Sequence, residues 1–378
     1  MDAFKLVTWN LEHADRLVTA LDSTTTRTRE RAEDRADAIR DEIAALAPDI
    51  LLVQEGPMGE ARARAFFERV APGHDLVVRG DDDRKAYGMQ GNRISGGQWL
   101  WFLIGKGAPI TGTLLHLDSR RALVERESQG AHKGGEWGVS FPRLEGDHVE
   151  LRVEETHSHW RHPQVLLATV DGHPVEIVGA HLKSKFSRVR PVGDPHDDAF
   201  FSQNPALVAD IVTSRIKLAT EAADIRHYVD QRFAENASAA IVIAGDFNDG
   251  PGKERIERRF LYHDLIGALQ GEVFFARRFL NHALFDAPET ERWSVHFEDD
   301  LDPGRDPRIL LDHILFSQSF TGNPQVTPFA FRAPRGGGKV EHDVHHAVNG
   351  ARPSWAETSD HKPVSMRFER RRPEAAPG

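Results

Sequence analysis

The apolar positions of this chain fall into two alternating rhythms. Compact apolar runs read as buried strands, and recurrences at three- and four-residue steps read as helices. Residues 4–9 form the first run, which closes on polar Asn10. After a polar stretch at 22–33, Ala36, Ile39, Ile43 and Leu46 recur with helical spacing until Pro48 stops them. Residues 49–55, Asp-Ile-Leu-Leu-Val-Gln-Glu, then make a second buried strand with a polar tip. Residues 62–70 read as a helix, 76–78 as a strand, and the charged, glycine-rich 79–97 as a surface loop. Residues 98–104 form a strand with Trp99 and Trp101 on one face, more suited to core than to stacking a base. Residues 123–147 carry no clear period.

Residues 165–170 and 175–180 read as a hairpin across Asp171-Gly-His-Pro174. Asn204-Pro205 then opens the clearest helix, with Asn as N-cap and Pro in the first turn. Its apolar stripe runs Val208, Ile211, Val212, Ile216, Ala219, Ala222, Ile225, Val229 and Phe233. Strands follow at 239–244, at 309–316 with Asp312 inside, and at 364–368. The Gly-, His- and Pro-rich 333–353 reads as a flexible lid, and 370–378 as a frayed tail. Helix and strand alternate with no low-complexity linker and no internal repeat, which predicts one large domain over 1–369.

Composition narrows the chemistry. With 378 residues and 39% hydrophobic content, the chain can bury a sizeable core. It has no cysteine, so disulfides and thiolate metal sites are excluded. Any metal must sit on Asp, Glu, Asn, His or water, which suits Mg²⁺, Mn²⁺ or Ca²⁺ better than structural zinc. The formal net charge of -10 argues against coating nucleic acid by bulk charge, but permits a local basic rim. No apolar run is long enough to span a membrane, and no leader is visible. The expectation is a cytoplasmic protein, or a secreted one if a leader has been removed, with no stable protein partner implied.

One pattern carries the function. Apolar strands end, one after another, in Asn10, Glu55, His181, Asp246 with Asn248, and Asp360-His361. Ligands in α/β proteins collect at strand ends. Gathered ionised groups are costly near a core unless they share a partner, and a cation would be one. In Gly245-Asp246-Phe247-Asn248 the glycine permits a tight turn, and extended chain would put Asp246 and Asn248 on one side. Asp312 could hold His361 in one tautomer. Alternation puts His181 and Lys183 on one face, with Arg161, Lys185, Arg188 and Arg190 as a possible basic patch. Each piece also has a plain structural explanation: an Asx turn at 245–248, a turn cap at 359–361, a polar break at Asp312, solvated loops for the lysines and arginines. Two histidine groups, His157/His159/His162 and His342/His345/His346, leave a second metal site open against the same plain reading.

Six motifs together resemble the endonuclease/exonuclease/phosphatase superfamily, whose fold is that of DNase I, and most of all its bacterial nuclease branch. They stand as Thr8-Trp-Asn10-Leu-Glu12, residues 48–55 ending in Gln54-Glu55, His181-Leu-Lys183-Ser184, Gly245-Asp246-Phe-Asn248, Leu311-Asp312-His313-Ile314 and Ser359-Asp360-His361-Lys-Pro363. The resemblance implies a four-layer α/β sandwich: two mixed β-sheets face to face with helices on both outer sides. It implies Glu55 as principal metal ligand, helped by Asn10 and Asp360. Asp246 would orient or deprotonate a water that Asn248 positions. His361, held by Asp312, would contact the scissile phosphate. His181 would stabilise the transition state or protonate the leaving oxygen. Arg161, Lys183 and Ser184 would bind substrate phosphate. The strand at 98–102 departs from the family's small apolar pattern by being bulky and aromatic.

The activity so implied is hydrolysis of phosphodiesters with Mg²⁺ or Mn²⁺ (Ca²⁺ also fits), on DNA or RNA with little sequence specificity. The alternative is a phosphatase or phosphodiesterase acting on a small molecule or phospholipid headgroup, which the acidic net charge suits. A non-catalytic binding module is the third class, and an intact metal, water and imidazole set speaks against it.

Overall fold

The computed structural model describes residues 1–79, 98–128, 136–251, 254–259 and 264–372, with strand pieces at 89–90, 93–94 and 132–133. Most of the expected 79–97 loop, and residues 373–378 of the expected tail, lie outside them.

In chain order the main strands are β1 (Ala3–Asn10), β2 (Ile50–Gly56), β3 (His74–Val77), β4 (Trp99–Gly105), β5 (Ile110–Leu114), β6 (Glu136–Glu145), β7 (His148–His157), β8 (Gln164–Val170), β9 (His173–His181), β10 (Ile241–Asp246), β11 (Asp312–Phe316) and β12 (Val364–Arg370). The main helices are α1 (Ala14–Leu21), α2 (Thr26–Leu46), α3 (Glu60–Val70), α4 (Leu117–Ser128), α5 (Pro205–Glu235) and α6 (His342–Asn349).

Two mixed sheets form. The first runs β12-β1-β2-β4-β3, with Phe331–Arg332 and Gly338–Val340 both paired to β12. The second runs β11-β10-β9-β8-β5, with Asn281–His282 paired to β11. Each sheet holds one parallel pair at its middle, β1 with β2 and β9 with β10.

Strand alternation explains the layers. Phe4 and Leu6 of β1 point inward, where they join Leu52, Phe102, Leu166, Ile177, Val242 and Ile314 of both sheets in one core. Val7 and Trp9 point outward under Ala36, Ile39, Ile43, Phe66 and Phe67 of α2 and α3. Val178 and Ile243 point outward on the second sheet, under Leu218, Ala222, Ile225 and Val229 of α5. The order is helices, sheet, sheet, helices. Strands covered on both faces read as continuous apolar runs. Trp99 and Trp101 are buried beneath α3, and the Trp101 indole donates to the Pro57 carbonyl at 2.9 Å, so this pair is core.

One open stretch is resolved and three expectations are corrected. The unclear stretch at 123–147 resolves into the end of α4 and the start of the β6–β7 ribbon, which lies against α5. The ribbon leaves Leu144, Val149 and Leu151 exposed, so burial never imposed a clean period on it. The histidine-rich 333–353 contains a strand and α6, not a lid. His345 docks α6 on α2 through Glu42, which is fully buried and needs polar partners: its Oε1 lies 3.0 Å from His345 Nδ1, and Thr358 Oγ1 donates to Oε2 at 2.7 Å. At the chain's end, Arg370 still pairs in β12 and Arg371 donates to the Phe329 carbonyl at 2.9 Å. Asn204 precedes α5, but its side chain caps no helix N–H; it is spent on Val192 and Phe200.

Candidate active site

The parallel pairs bring their ends to one edge of the sandwich. Asn10 closes β1 beside Gln54, and Glu55 follows on β2. On the other sheet His181 closes β9 opposite Asp246 at the end of β10. Antiparallel β11 begins at that same edge, with Asp312 opposite Asp246. β12 begins there too, just after Asp360 and His361. The sheets meet where Asn10 Nδ2 donates to Asp246 Oδ2 at 3.0 Å. Ser359 Oγ donates to the Asn10 carbonyl at 2.6 Å, and the Trp9 indole donates to the His361 carbonyl at 2.9 Å, which fix the third segment.

Backbone strain gathers here. Among the described residues seven non-glycine residues have positive φ, and five surround this edge: Glu12, His13, Glu55, Gln98 and Asn248. Such conformations cost roughly 1–3 kcal/mol each and persist where the surroundings over-determine them. Gly245 is required for another reason than a turn. A Cβ there would lie 1.8 Å from the Ala180 carbonyl oxygen, so only glycine lets β9 and β10 close at this point. Asn248 does not continue in extended chain beside Asp246, as its φ of 52° shows. Its N–H donates to Asp246 Oδ1 at 2.8 Å, an Asx-type turn, and its amide donates to the Leu182 carbonyl at 2.9 Å.

The electrostatics separate the two imidazoles. Burial disfavours a charge on His361, but Asp312, 2.7 Å from Nδ1, outweighs it with help from Asp246 and Asp360, raising His361 to about 10. At neutral pH it is a cation. His181 moves the other way, well below its ordinary value, through burial and then the charges of Arg161 and His361. It is neutral. Asp246 binds its proton more tightly than a free carboxylate, through burial and then Asp312, although His361 opposes this. Environments that push such groups apart mark acid–base sites.

Three carboxylates, Glu12, Glu55 and Asp360, share the open mouth. Glu12 is raised by burial and then by Asp360, with Arg35 and His13 opposing and Glu55 adding to the rise. Arg35 ties this mouth together through the carbonyls of Leu11, Glu12 and Thr358. Among the described residues no three His, Asp or Glu side chains form a ready cage. The expected donor set of Asn10, Glu55 and Asp360 is oxygen-only, the kind that Mg²⁺ takes with water completing its shell; here Asn10 Oδ1 accepts the Glu12 N–H at 3.0 Å and Glu55 Oε2 the His13 N–H at 2.7 Å. The set does not fit a closed tetrahedral zinc site. Neither histidine group considered for a second metal gathers as one.

The phosphate-binding candidates divide. Arg161 is buried, with Nη1 2.7 Å from His181 Nε2 and Nη2 donating to the Leu182 carbonyl at 3.2 Å. Lys183 Nζ donates to the Ser184 carbonyl at 2.5 Å, and its charge neighbours are Glu221, Arg161, Lys217 and Asp210 beside α5. Ser184 Oγ accepts the Phe186 N–H. Lys183 and Ser184 thus serve local structure at the rim. Lys185 is drawn inward by Asp249, Glu254 and Glu257 at 2.5, 2.9 and 2.8 Å. Sequence reasoning missed His13, Arg35 and Gln98. No spacing signals them, because they arrive from a loop, a helix flank and a strand lead-in.

No protein-family model and no curated protein matches the chain. Solved structures do match. Truncated Caenorhabditis elegans TDP2 is 13% identical, covering 97% of both chains with a TM-score of 0.49. An endonuclease/exonuclease/phosphatase family protein from Bacteroides thetaiotaomicron is 13% identical over 97% of both chains, with a TM-score of 0.44. The human Nocturnin catalytic domain with bound sulfate is 15% identical over 98% of this chain and 94% of that one, at 0.41. At such distance, what this chain does must be read from its own strand ends.

Proposed function

We propose that the chain is a divalent-metal-dependent phosphodiesterase of the endonuclease/exonuclease/phosphatase superfamily, in one catalytic domain that takes in all of β12 and Arg371. The observation that carries this reading is the convergence of Asn10, Asp246, Asp312 and His361 from four strand ends, with a cationic and a neutral imidazole side by side. Asn10, Glu55 and Asp360 would hold the cation, Mg²⁺ or Mn²⁺. When bound it supplies charge neutralisation at the phosphate oxygens.

The chain's own residues account for the rest. Asp246, held by Asn10 and Asn248, accepts a proton from the attacking water, and its raised proton affinity suits a general base. The water oxygen bonds to phosphorus as the bond to the leaving oxygen breaks. His361, kept charged by Asp312, donates to a non-bridging oxygen as negative charge grows there. His181 is neutral and touched by Arg161. It therefore offers a hydrogen bond at the leaving side, and a fully charged acid is not required of it. Arg161 adds positive charge behind it. Lys183 and Ser184 shape the rim through their contacts with its own backbone, and phosphate contact is not assigned to them.

A nucleic acid phosphodiester is the substrate class we favour, read through its backbone and without base specificity. The capture of Lys185 by three carboxylates, with a net charge of -10, favours a second reading: a smaller phosphoester. The test is an assay with Mg²⁺ or Mn²⁺ on plasmid and single-strand oligonucleotide, beside p-nitrophenyl phosphate and its bis ester. Cleavage of polymer and diester is expected. Cleavage of the monoester alone would sink the nuclease reading, and no cleavage of any ester would favour a binding module.

A further inference from the structure

The motif Leu311-Asp312-His313-Ile314 holds a second polar residue that the chemistry above does not use. His313 is fully buried in β11, one residue past Asp312. Alternation turns it, like Leu315, to the outer face of the second sheet. There its ring stacks on Phe247, with centroids 5.1 Å and planes 14° apart. Its Nε2 lies 2.8 Å from the Asp249 carbonyl oxygen. Its Nδ1 lies 2.9 Å from Nε2 of His282, on the strand piece paired to β11. His282 Nδ1 in turn accepts the Leu284 N–H at 3.0 Å.

Backbone groups close both ends of this chain of hydrogen bonds, and they decide where each proton sits. A carbonyl oxygen only accepts, so His313 Nε2 carries a hydrogen. A backbone N–H only donates, so His282 Nδ1 presents a lone pair and its ring hydrogen is on Nε2. That hydrogen points at His313 Nδ1, which presents a lone pair as well. Both rings are therefore neutral, each with its hydrogen on Nε2. A further proton on either would set two N–H groups against each other. The surroundings agree: burial, then His313 and Arg292, hold His282 down at about 3. Burial also lowers His313, against the pull of the Asp249 carbonyl and Asp312.

What the two rings hold is the turn after β10. The Phe247 N–H donates to the Leu311 carbonyl at 2.8 Å, and the Phe247 ring rests on His313. The Asp249 carbonyl takes the His313 hydrogen. Asn248, in its left-handed conformation, stands between the two residues that His313 touches. It cannot rotate away from Asp246 without disturbing the stack or the hydrogen bond.

We propose that His313 is a positioning residue for Asp246 and Asn248, held neutral and in one tautomer by His282. The inference rests on the reaction reading given above, in which Asp246 accepts the proton of the attacking water. His313 touches no reacting atom. It acts through the backbone that aims Asp246, and His282 acts through His313.

The test compares His313→Leu with His313→Gln, and His282→Leu with His282→Gln, in the full chain. Glutamine keeps an N–H donor near the place of Nε2, and leucine removes it. On bis-p-nitrophenyl phosphate with Mg²⁺ or Mn²⁺, His313→Leu should lower kcat roughly 10- to 100-fold with KM held within about twofold, the effect of slight misplacement. His282→Leu should cost about three- to tenfold in kcat. Each glutamine variant should recover most of the loss. NMR of ¹⁵N-histidine-labelled wild type should show both rings neutral with the hydrogen on Nε2. Hydrogen exchange at the Asn248 N–H should quicken about tenfold in the leucine variants as the turn opens more often. Unchanged kcat and exchange in both leucine variants, or glutamine variants as slow as the leucine ones, overturn the positioning role. Should His313→Leu fail to fold, the His282 pair decides by the same contrast. No cleavage of any phosphoester by wild type overturns the reaction reading itself, and this inference with it.

Discussion

Two of the histidine–carboxylate clusters among the described residues are made of the same residue types and hold their charge in opposite ways. One is His181, Asp246, Asp312 and His361 at the strand ends. The other is His157, His159, Glu221 and Asp224, between the 157–162 segment and α5. In the second, the carboxylates sit one turn apart on a single helix and their needs are met. Asp224 takes Arg120 at 2.5 Å and His159 at 2.8 Å, and Glu221 takes the Lys183 N–H at 2.7 Å with His157 3.4 Å away. In the first, carboxylates from different strands face each other, and Asp246 holds its proton more tightly than usual. Matched charge makes scaffold, while charge left over is available to a ligand.

The comparison can be broken in four ways. Asp246→Asn should have the largest effect, lowering kcat about 10²- to 10⁴-fold on bis-p-nitrophenyl phosphate with the melting temperature held or raised. Full activity in that variant would remove Asp246 from the chemistry. Asp224→Asn should cost stability instead, about 3–5 kcal/mol by urea unfolding, because Arg120 and His159 lose a buried partner. A large fall in kcat without that loss would move the second cluster into the catalytic machinery. Asp312→Asn should lower kcat roughly 10- to 100-fold by freeing the His361 ring, with little change in KM. An unchanged pH profile and rate would show that His361 needs no anchor.

The smallest effect is a slope. Burial pushes Glu221 up, but a hydrogen bond from His157 and the charges of His159, His157 and Arg161 outweigh it and hold the group below its ordinary value. A carboxylate lowered in the fold stabilises it above about pH 4.5, the ordinary value, and loses that contribution as acid protonates it. Unfolding free energy of wild type should therefore fall below that pH, and Glu221→Gln should be less stable at pH 7 but flatter in acid. Parallel curves for the two proteins would count against the paired state of Glu221.

The two clusters also differ in how far sequence foretold them. Strand ends were legible because a strand covered on both faces is an apolar run, and a polar group at its tip interrupts it. Asn10, Glu55, His181, Asp246 and Asp360-His361 all announce themselves so. The buried polar face of α5 did not. Its apolar stripe predicted Val212, Ile216 and Ala219 as core, yet these are half-buried, while Arg215, Glu221 and Asp224 are buried. Periodicity registers apolar positions and is blind to polar ones that satisfy each other. The same limit hid Glu42 and turned α6 into an expected lid. The left-handed Glu12, Glu55 and Gln98 at the mouth gave no sign either, since Glu and Gln are not the residues that normally mark such backbone.

The lysine that the strand-end motif pushes inward has a consequence for the solution in which the chain works. Lys185, embraced by Asp249, Glu254 and Glu257, contributes little to the field an approaching polyanion meets. Each phosphate neutralised on single-stranded polymer steepens the fall of affinity with salt by about 0.7 in log–log slope. A cleft that spends its lysine on its own carboxylates displaces few condensed counterions. Its grip on substrate should therefore decline gently with ionic strength, and its choice among phosphoesters would be made at contact, not at a distance.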